Sequence, residues 1–342
     1  MRIELLPKDL TYYKANLHSH STLSDGCVTP EEMKAAYKEK GYSILAITDH
    51  NVFLPHNDLT EDDFLMLNGL EYNADPGDGS GRTCHFCAIA GSKEEENQLF
   101  FNRTPGYYVW KGGLEAIKQV KYDDSLPDYV RTYGAEGISE MMRGCRDRGF
   151  FVTYNHPCWS LEHYPEYMGY EGMHAMEIVN YACVEMGYPE YNEQVYDDML
   201  TGGKRVLCSA NDDNHSVGKD AFGGFTMIGA KELKYESVMD ALFAGRFYAS
   251  TGALIDAIWF EDGVLHVEAP ACKEIRVFTG ARRAFRKVGT ADAPVTEAAF
   301  KLDNPCRYDY VRVTVTDFDG KQAFSQAYYT ADLGLTKTME FL

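Results

Sequence analysis

The chain has 342 residues, 45% of them hydrophobic and 13% aromatic, which is enough to bury a sizeable core and excludes a disordered chain. Its 33 Lys and Arg stand against 52 Asp and Glu, a formal net charge of -19, which argues against a long cationic groove for extended nucleic acid. The charged start MRIELLPKDL, the lack of any apolar run near the roughly 18 residues a bilayer requires, and nine scattered cysteines predict a cytoplasmic protein with reduced thiols and no membrane contact.

The first chemistry-bearing element is Asn16-Leu17-His18-Ser19-His20, where two imidazoles at i and i+2 share one face of a strand and can address one ion. Asp25 follows in the turn Ser24-Asp25-Gly26. TPEEMKAAYKEKGY then predicts a helix, whose Thr29, Pro30, Glu32 start resembles an N-cap with Pro at N1 and which a glycine closes. It leads into the buried strand SILAITDH, which ends in polar groups. Adjacent strand residues point apart, so His50 is the expected metal ligand and Asp49 a supporting acid.

Glu71 lies between Leu70 and Tyr72 in LNGLEYNAD, an apolar setting in which a carboxylate needs a strong partner. CHFCAIA brings His85 on a strand and also a CxxC, Cys84 and Cys87; without a helix start or a second CxxC these two are assigned to packing. Residues 92 to 135 lack a clear period and predict an active-site wall or a plain loop. ISEMMRGCRDRG leads into FFVTYNHP with His156, and YNEQVYDDMLTGGK into RVLCSANDDNH. In the latter, Asp213 and His215 share a face and Asp212 turns away. Six strand ends carrying His, Asp or Glu concentrate buried charge that divalent cations would compensate. His56, His163, His174 and His266 fall outside these positions and are expected on the surface or in loops.

This repeating helix, glycine, buried strand and functional turn predicts an α/β fold with barrel order. After ALFAGRFYAS the text changes to IDAIWF, VLHVEA, EIRVFT, YVRVTVTD and QAFSQAYY, which predict a small C-terminal β-sandwich. The expected division is 1–250 for the α/β part and 251–342 for the β part, with the basic stretch of residues 281–287 as a solvated hairpin.

In order, HSHSTLSDG, ITDHN, GLEYNAD, CHF, NHP and DDNH resemble the motif set of the PHP (polymerase and histidinol phosphatase) family over about residues 16 to 250. The resemblance implies a distorted seven-stranded β/α barrel holding two or three divalent ions, manganese, iron or zinc. It implies one ion on His18, His20 and Asp213, with Glu71 bridging to a second on His85 and His156, and a third on Asp25, His50 and His215. Some family members have His where this chain has Asp25, and the harder oxygen ligand favours manganese or iron over zinc.

The implied activity is hydrolysis of small anionic phosphoesters by a metal-bridging hydroxide, with Glu71 and Asp49 as the catalytic acids. Phosphate contacts are expected from Arg82, Arg103, Lys111 or Arg131, none of which the sequence singles out. GRFYASTG followed by a β domain is similar to a branch that includes carbaryl hydrolase, which makes carbamate or ester hydrolysis the competing activity. Exonucleolytic attack on short oligonucleotide ends fits the same chemistry, whereas the intact ligand set speaks against a noncatalytic metal-binding regulator.

Overall fold

The computed structural model describes residues 2–108, 111–302 and 309–335; Cys306 and the Lys111 side chain lie outside them. Strand β1 (Arg2–Leu6) is followed by β2 (Thr11–Asn16), whose continuation carries His18 and His20. Helix α1 (Pro30–Glu39) starts as the sequence predicts: the Thr29 side chain accepts from the Glu32 N–H, and the Glu32 side chain accepts from the Thr29 N–H. The chain leaves α1 through Gly41 at φ 76°, a conformation that costs glycine little, and enters β3 (Ile44–Ile47).

Strands β4 (Leu65–Ala74) and β5 (Cys84–Ala90) follow. The segment expected to be irregular contains the short helix α2 (Lys111–Ala116), and α3 (Ala135–Asp147) then leads into β6 (Phe150–Tyr154). Beyond these come α4 (Tyr164–Gly169), β7 (Ala175–Asn180), α5 (Tyr181–Glu185), α6 (Glu193–Thr201), β8 (Leu207–Asn211), β9 (Phe225–Ala230), α7 (Tyr235–Phe243) and β10 (Phe247–Ser250). Among the described residues, no helix is long and apolar enough to cross a membrane.

The fold is mixed α/β, built on one large sheet that runs through β9-β2-β3-β4-β5-β6-β7-β8. Its pairings are parallel at β2/β3, β3/β4, β6/β7 and β7/β8, while β5 runs antiparallel to both neighbours. Beyond the ends of β2 and β8 the chain pairs again: the Asp213 N–H donates to His18 O at 2.9 Å and the His20 N–H to Asn214 O at 2.9 Å. Side chains continue the contact where no ladder forms. Thr226 exchanges hydrogen bonds with the backbone of Ala210, and Gln326 does so with Cys208.

The remaining strands are β11 (Ala257–Glu261), β12 (Val264–Cys272), β13 (Glu274–Thr279), β14 (Ala284–Val288), β15 (Val295–Lys301), β16 (Tyr310–Thr316), β17 (Gln322–Phe324) and β18 (Tyr328–Tyr329). A four-stranded sheet, β1-β11-β12-β15, packs Leu6, Ile258, Leu265 and Val267 against Ile275, Val277, Val311 and Val313 of β13 and β16. Those two strands belong to the large sheet, so the two layers share a core while one of them is continuous with the α/β part. Strand β1, from the very start of the chain, pairs antiparallel with β11.

The sequence reading did not resolve β14 and β15. β14 is the basic stretch itself, an edge strand almost wholly exposed that lacks the alternation a half-buried strand shows. The burial of β15 is likewise uneven along the strand. Arg312, fully buried on β16, ties the β layers to α6, where Asp197 and Glu193 accept from its guanidinium at 2.8 Å.

Candidate metal centre

Strand ends and the turns after them bring nine side chains together. Glu71 stands at their centre, fully buried, and its two oxygens face different histidines. Oε1 lies 3.2 Å from His18 Nε2, 3.2 Å from His85 Nδ1 and 3.3 Å from His156 Nε2. Oε2 lies 3.0 Å from His50 Nδ1 and 3.4 Å from His20 Nε2. Asp213 Oδ1 stands 2.9 Å from His20 Nε2 and 3.1 Å from His18 Nε2. Asp25 Oδ2 reaches His215 Nε2 at 3.5 Å and His50 Nε2 at 3.7 Å, and its Oδ1 reaches His20 Nδ1 at 3.8 Å.

Three groups have donor atoms close enough to share an ion: His18, His20, Glu71 and Asp213; His20, Asp25, His50 and His215; and His50, Glu71 and His85. All nine residues singled out in the sequence therefore converge, with His156 joined to the cluster through Glu71 and Asp213. The donor set fits divalent cations. Buried His20 Nδ1, His85 Nδ1, Glu71 Oε2 and Asp213 Oδ1 find no hydrogen-bond partner among the described residues, a costly arrangement unless a cation takes their lone pairs.

Two of the histidines have a fixed tautomer. His18 Nδ1 faces Glu177 Oε1 at 2.8 Å, which keeps its proton there and turns the Nε2 lone pair towards Glu71 and Asp213. His215 Nδ1 lies 3.0 Å from Asp213 O, which can only accept, so its Nε2 also points its lone pair into the cluster.

Without cations the carboxylates draw protons onto the imidazoles. Burial pulls His215 down, but the bond to Asp25 and the charges of Asp213 and Asp25 outweigh it and raise its pKa to about 9. Burial pushes Asp25 up, but the same bond and the charges of His50 and His20 bring it down to about 2. The backbone is strained at the same place: Asn51, His156 and Asp213 have φ of 59°, 25° and 55°, conformations rare outside glycine that recur at functional sites.

Asp49, expected among the catalytic acids, does not face the cluster. Its buried carboxylate accepts from the Ser21 N–H at 2.7 Å, Ser21 Oγ at 2.7 Å and Ser24 Oγ at 2.5 Å, so it braces the loop between His20 and Asp25. Alternation along the strand is the reason, since His50 takes the side that faces the other ligands. Asp212 turns away as expected, accepting from Tyr37 and from the N–H groups of Phe222, Gly223 and Gly224.

Cys84 and Cys87 are buried free thiols on β5, and burial raises both pKa values, Cys87 to about 11. Cys84→Ser with Cys87→Ser is expected to retain the full metal content of the wild type; loss of one equivalent in elemental analysis would overturn the packing assignment. Of the remaining histidines, His163 is exposed and precedes α4. His56 and His174 are half-buried, and His174 stacks on Phe151 while its Nδ1 accepts from the Val152 N–H. His266 stacks on Trp259.

The sequence reading missed Glu177. On β7 it is fully buried and takes His18 Nδ1, the His156 N–H, Asn180 Nδ2 and Asn211 Nδ2. The clue that picked out Glu71, an acid inside an apolar strand, is also present in AMEIVN. Asn155 was missed as well; it donates to Glu71 Oε1 at 2.6 Å. Glu177→Gln should loosen His18 and lower metal affinity by roughly 10- to 100-fold, as the loss of a hydrogen-bonded ligand partner usually does. An unchanged metal titration would show that Glu177 only fills space.

The cluster forms the floor of a cleft of about 900 Å³ whose walls include Tyr107, Arg131, Trp159 and Met186. The segment of uncertain role thus supplies wall residues, Thr104, Gly106, Tyr107 and Arg131 among them. Arg82 lines the mouth and pairs with Glu166 at 3.0 Å. Arg103 is not among the lining residues and pairs with Asp128 at 2.8 Å.

Buried histidines and carboxylates of an α/β fold thus converge into groups that could hold metal ions. Residues 16–149 match the model of the PHP domain. It is 48% identical over 52 residues to the DNA polymerase/3'-5' exonuclease PolX of Bacillus subtilis, a match covering 15% of this chain and 9% of the relative. It is 40% identical over 62 residues to the 5'-3' exoribonuclease Rnm of Escherichia coli, covering 18% and 20%. The chain thus matches only a small part of either relative's length.

Among solved structures it is similar to a two-domain protein containing a PHP-like metal-dependent phosphoesterase from Bacteroides vulgatus. The phosphoesterase of that protein is itself a predicted one, and the likeness has a TM-score of 0.44 and 17% identity, over 96% of this chain and 99% of the other. An amidohydrolase from Chromobacterium violaceum shows a TM-score of 0.37 and 14% identity, over 60% and 89%.

Proposed function

We propose that this protein is a metal-dependent hydrolase of small phosphoesters. The observation that carries the reading is the buried Glu71 carboxylate, which meets five imidazoles within 3.4 Å, Oε1 towards His18, His85 and His156 and Oε2 towards His50 and His20, so that it could serve more than one ion. His18, His20 and Asp213 would hold one ion, His85 and His156 a second, with Glu71 between them, and Asp25, His50 and His215 a third. The oxygen ligand Asp25 favours manganese or iron at this last position. Bound ions supply Lewis acidity for a phosphoryl oxygen and lower the pKa of coordinated water.

The chain's own contribution is orientation. Glu177 fixes the His18 tautomer, Asn155 holds Glu71, and Asp49 braces the loop that presents His20 and Asp25. The cleft admits a small anion, and its walls of Trp159, Tyr107 and Met186 suit a compact organic remainder. Asp49 is assigned here to positioning and Glu71 to the reaction centre.

We read β2 to β8 as a distorted seven-stranded barrel, which the hydrogen bonds between the chain after β2 and the chain after β8 would close. We take residues 1–250 as the hydrolase part and 251–342 as a bracing β part, with β1 lent to the latter through its pairing with β11. A cytoplasmic setting and independence from membranes and extended nucleic acid belong to the same proposal.

A second reading, removal of nucleotides from short oligonucleotide ends, draws on the short matches to PolX and Rnm. The net charge of -19 restricts it to ends that a pocket can hold.

The test is reconstitution with manganese, iron or zinc, followed by elemental analysis and turnover of p-nitrophenyl phosphate, an aryl carbamate and a five-nucleotide oligomer. At least two ions per chain and metal-dependent phosphate release are expected. Carbamate cleavage without any phosphoester cleavage would replace the proposal with the carbamate hydrolase reading.

A further inference from the structure

Arg131 occupies an unusual position for a cation. It lines the same cleft as the metal cluster, is largely buried, and has no carboxylate within ion-pair distance among the described residues. Its Nη1 is fixed by neutral oxygens alone: Asn51 Oδ1 at 2.6 Å, Asn73 O at 2.9 Å and Asn73 Oδ1 at 3.2 Å. Nε and Nη2 are buried and reach no acceptor among the described residues. The Tyr107 ring lies 4.7 Å from the guanidinium carbon, so a π face stands where a counter-ion would.

Burying a guanidinium without an anion is costly, and leaving two of its nitrogens unbonded adds to the cost. A purely structural arginine finds a carboxylate, as Arg312 does with Asp197 and Glu193. Placement decides what the missing anion is. Asn51 directly follows His50, and Asn73 lies two residues beyond Glu71 on the same strand face, so the guanidinium is anchored beside the cluster at the cleft wall. The other cationic wall residue, Arg82, already has Glu166.

We propose that Arg131 is the anion-recognition residue of the cleft: it takes the phosphoryl oxygens of the substrate through Nε and Nη2 when the Tyr107 ring moves aside. This rests on the phosphoesterase reading and deepens it, because it makes the second anchor of the substrate a planar two-donor fork that matches two oxygens of one phosphoryl group.

The probe is inorganic phosphate, titrated calorimetrically into the metal-loaded protein. Two variants are compared with the wild type: Arg131→Met, which removes the fork, and Asn73→Asp, which supplies the missing carboxylate at nearly constant shape and leaves the arginine in place. Both should raise the phosphate Kd by roughly 10- to 100-fold, the range of a lost charged hydrogen bond, at unchanged metal content. If Arg131→Met does not fold, Asn73→Asp alone decides.

Phosphate binding as tight as wild type in Asn73→Asp, or in a folded Arg131→Met, overturns the assignment of Arg131 and leaves the phosphoesterase reading intact. A wild type that binds no phosphate and cleaves no phosphoester overturns both.

Discussion

Glu71→Gln should lose at least one bound ion per chain and reduce phosphoester turnover on the order of a thousand-fold, whereas Asp212→Asn should keep both nearly intact. The two acids are equally buried, Glu71 within β4 and Asp212 directly after β8, so burial does not distinguish them. Their surroundings do. Glu71 meets five imidazoles within 3.4 Å, and a neutral amide cannot replace its second anionic oxygen. Asp212 meets three backbone N–H groups and the Tyr37 hydroxyl, and an amide oxygen can still accept from some of these. Elemental analysis of the two purified variants beside their turnover checks the prediction; equal losses would mean that the wrong acid has been placed at the centre.

Asp25→Asn should lower phosphoester turnover by about 100-fold and hydrolysis of any neutral ester by much less. Asp25 faces His20, His50 and His215, and its low pKa keeps it anionic throughout the range in which an enzyme works. The substitution weakens the proposed third ion and leaves the ligands of the other two untouched. A dianionic phosphate gains more from a third positive charge than a neutral carbonyl does, so the two substrate classes should separate. The kcat/KM ratio for p-nitrophenyl phosphate over p-nitrophenyl acetate reports this directly, and a ratio that rises in the variant would assign Asp25 to a different task.

The sequence by itself determined which nine side chains would converge and the α/β order, because both are written in short-range rules. His18 and His20 share a face through strand alternation, Thr29 and Glu32 cap α1 within one turn, and a polar group ending an apolar run marks a strand mouth. Glu177 carried the same mark and was legible in principle.

Only the tertiary structure decided which oxygen of Glu71 meets which imidazole, that Asp49 serves Ser21 and Ser24, and that Arg131 rather than Arg82 or Arg103 has no ion-pair partner among the described residues. It also decided that β1 joins β11, a pairing across some 250 residues of chain. The reason is physical. Backbone periodicity fixes the direction of a side chain within its own element, but its partner is set by the packing of distant segments, and nothing local in the sequence encodes that distance.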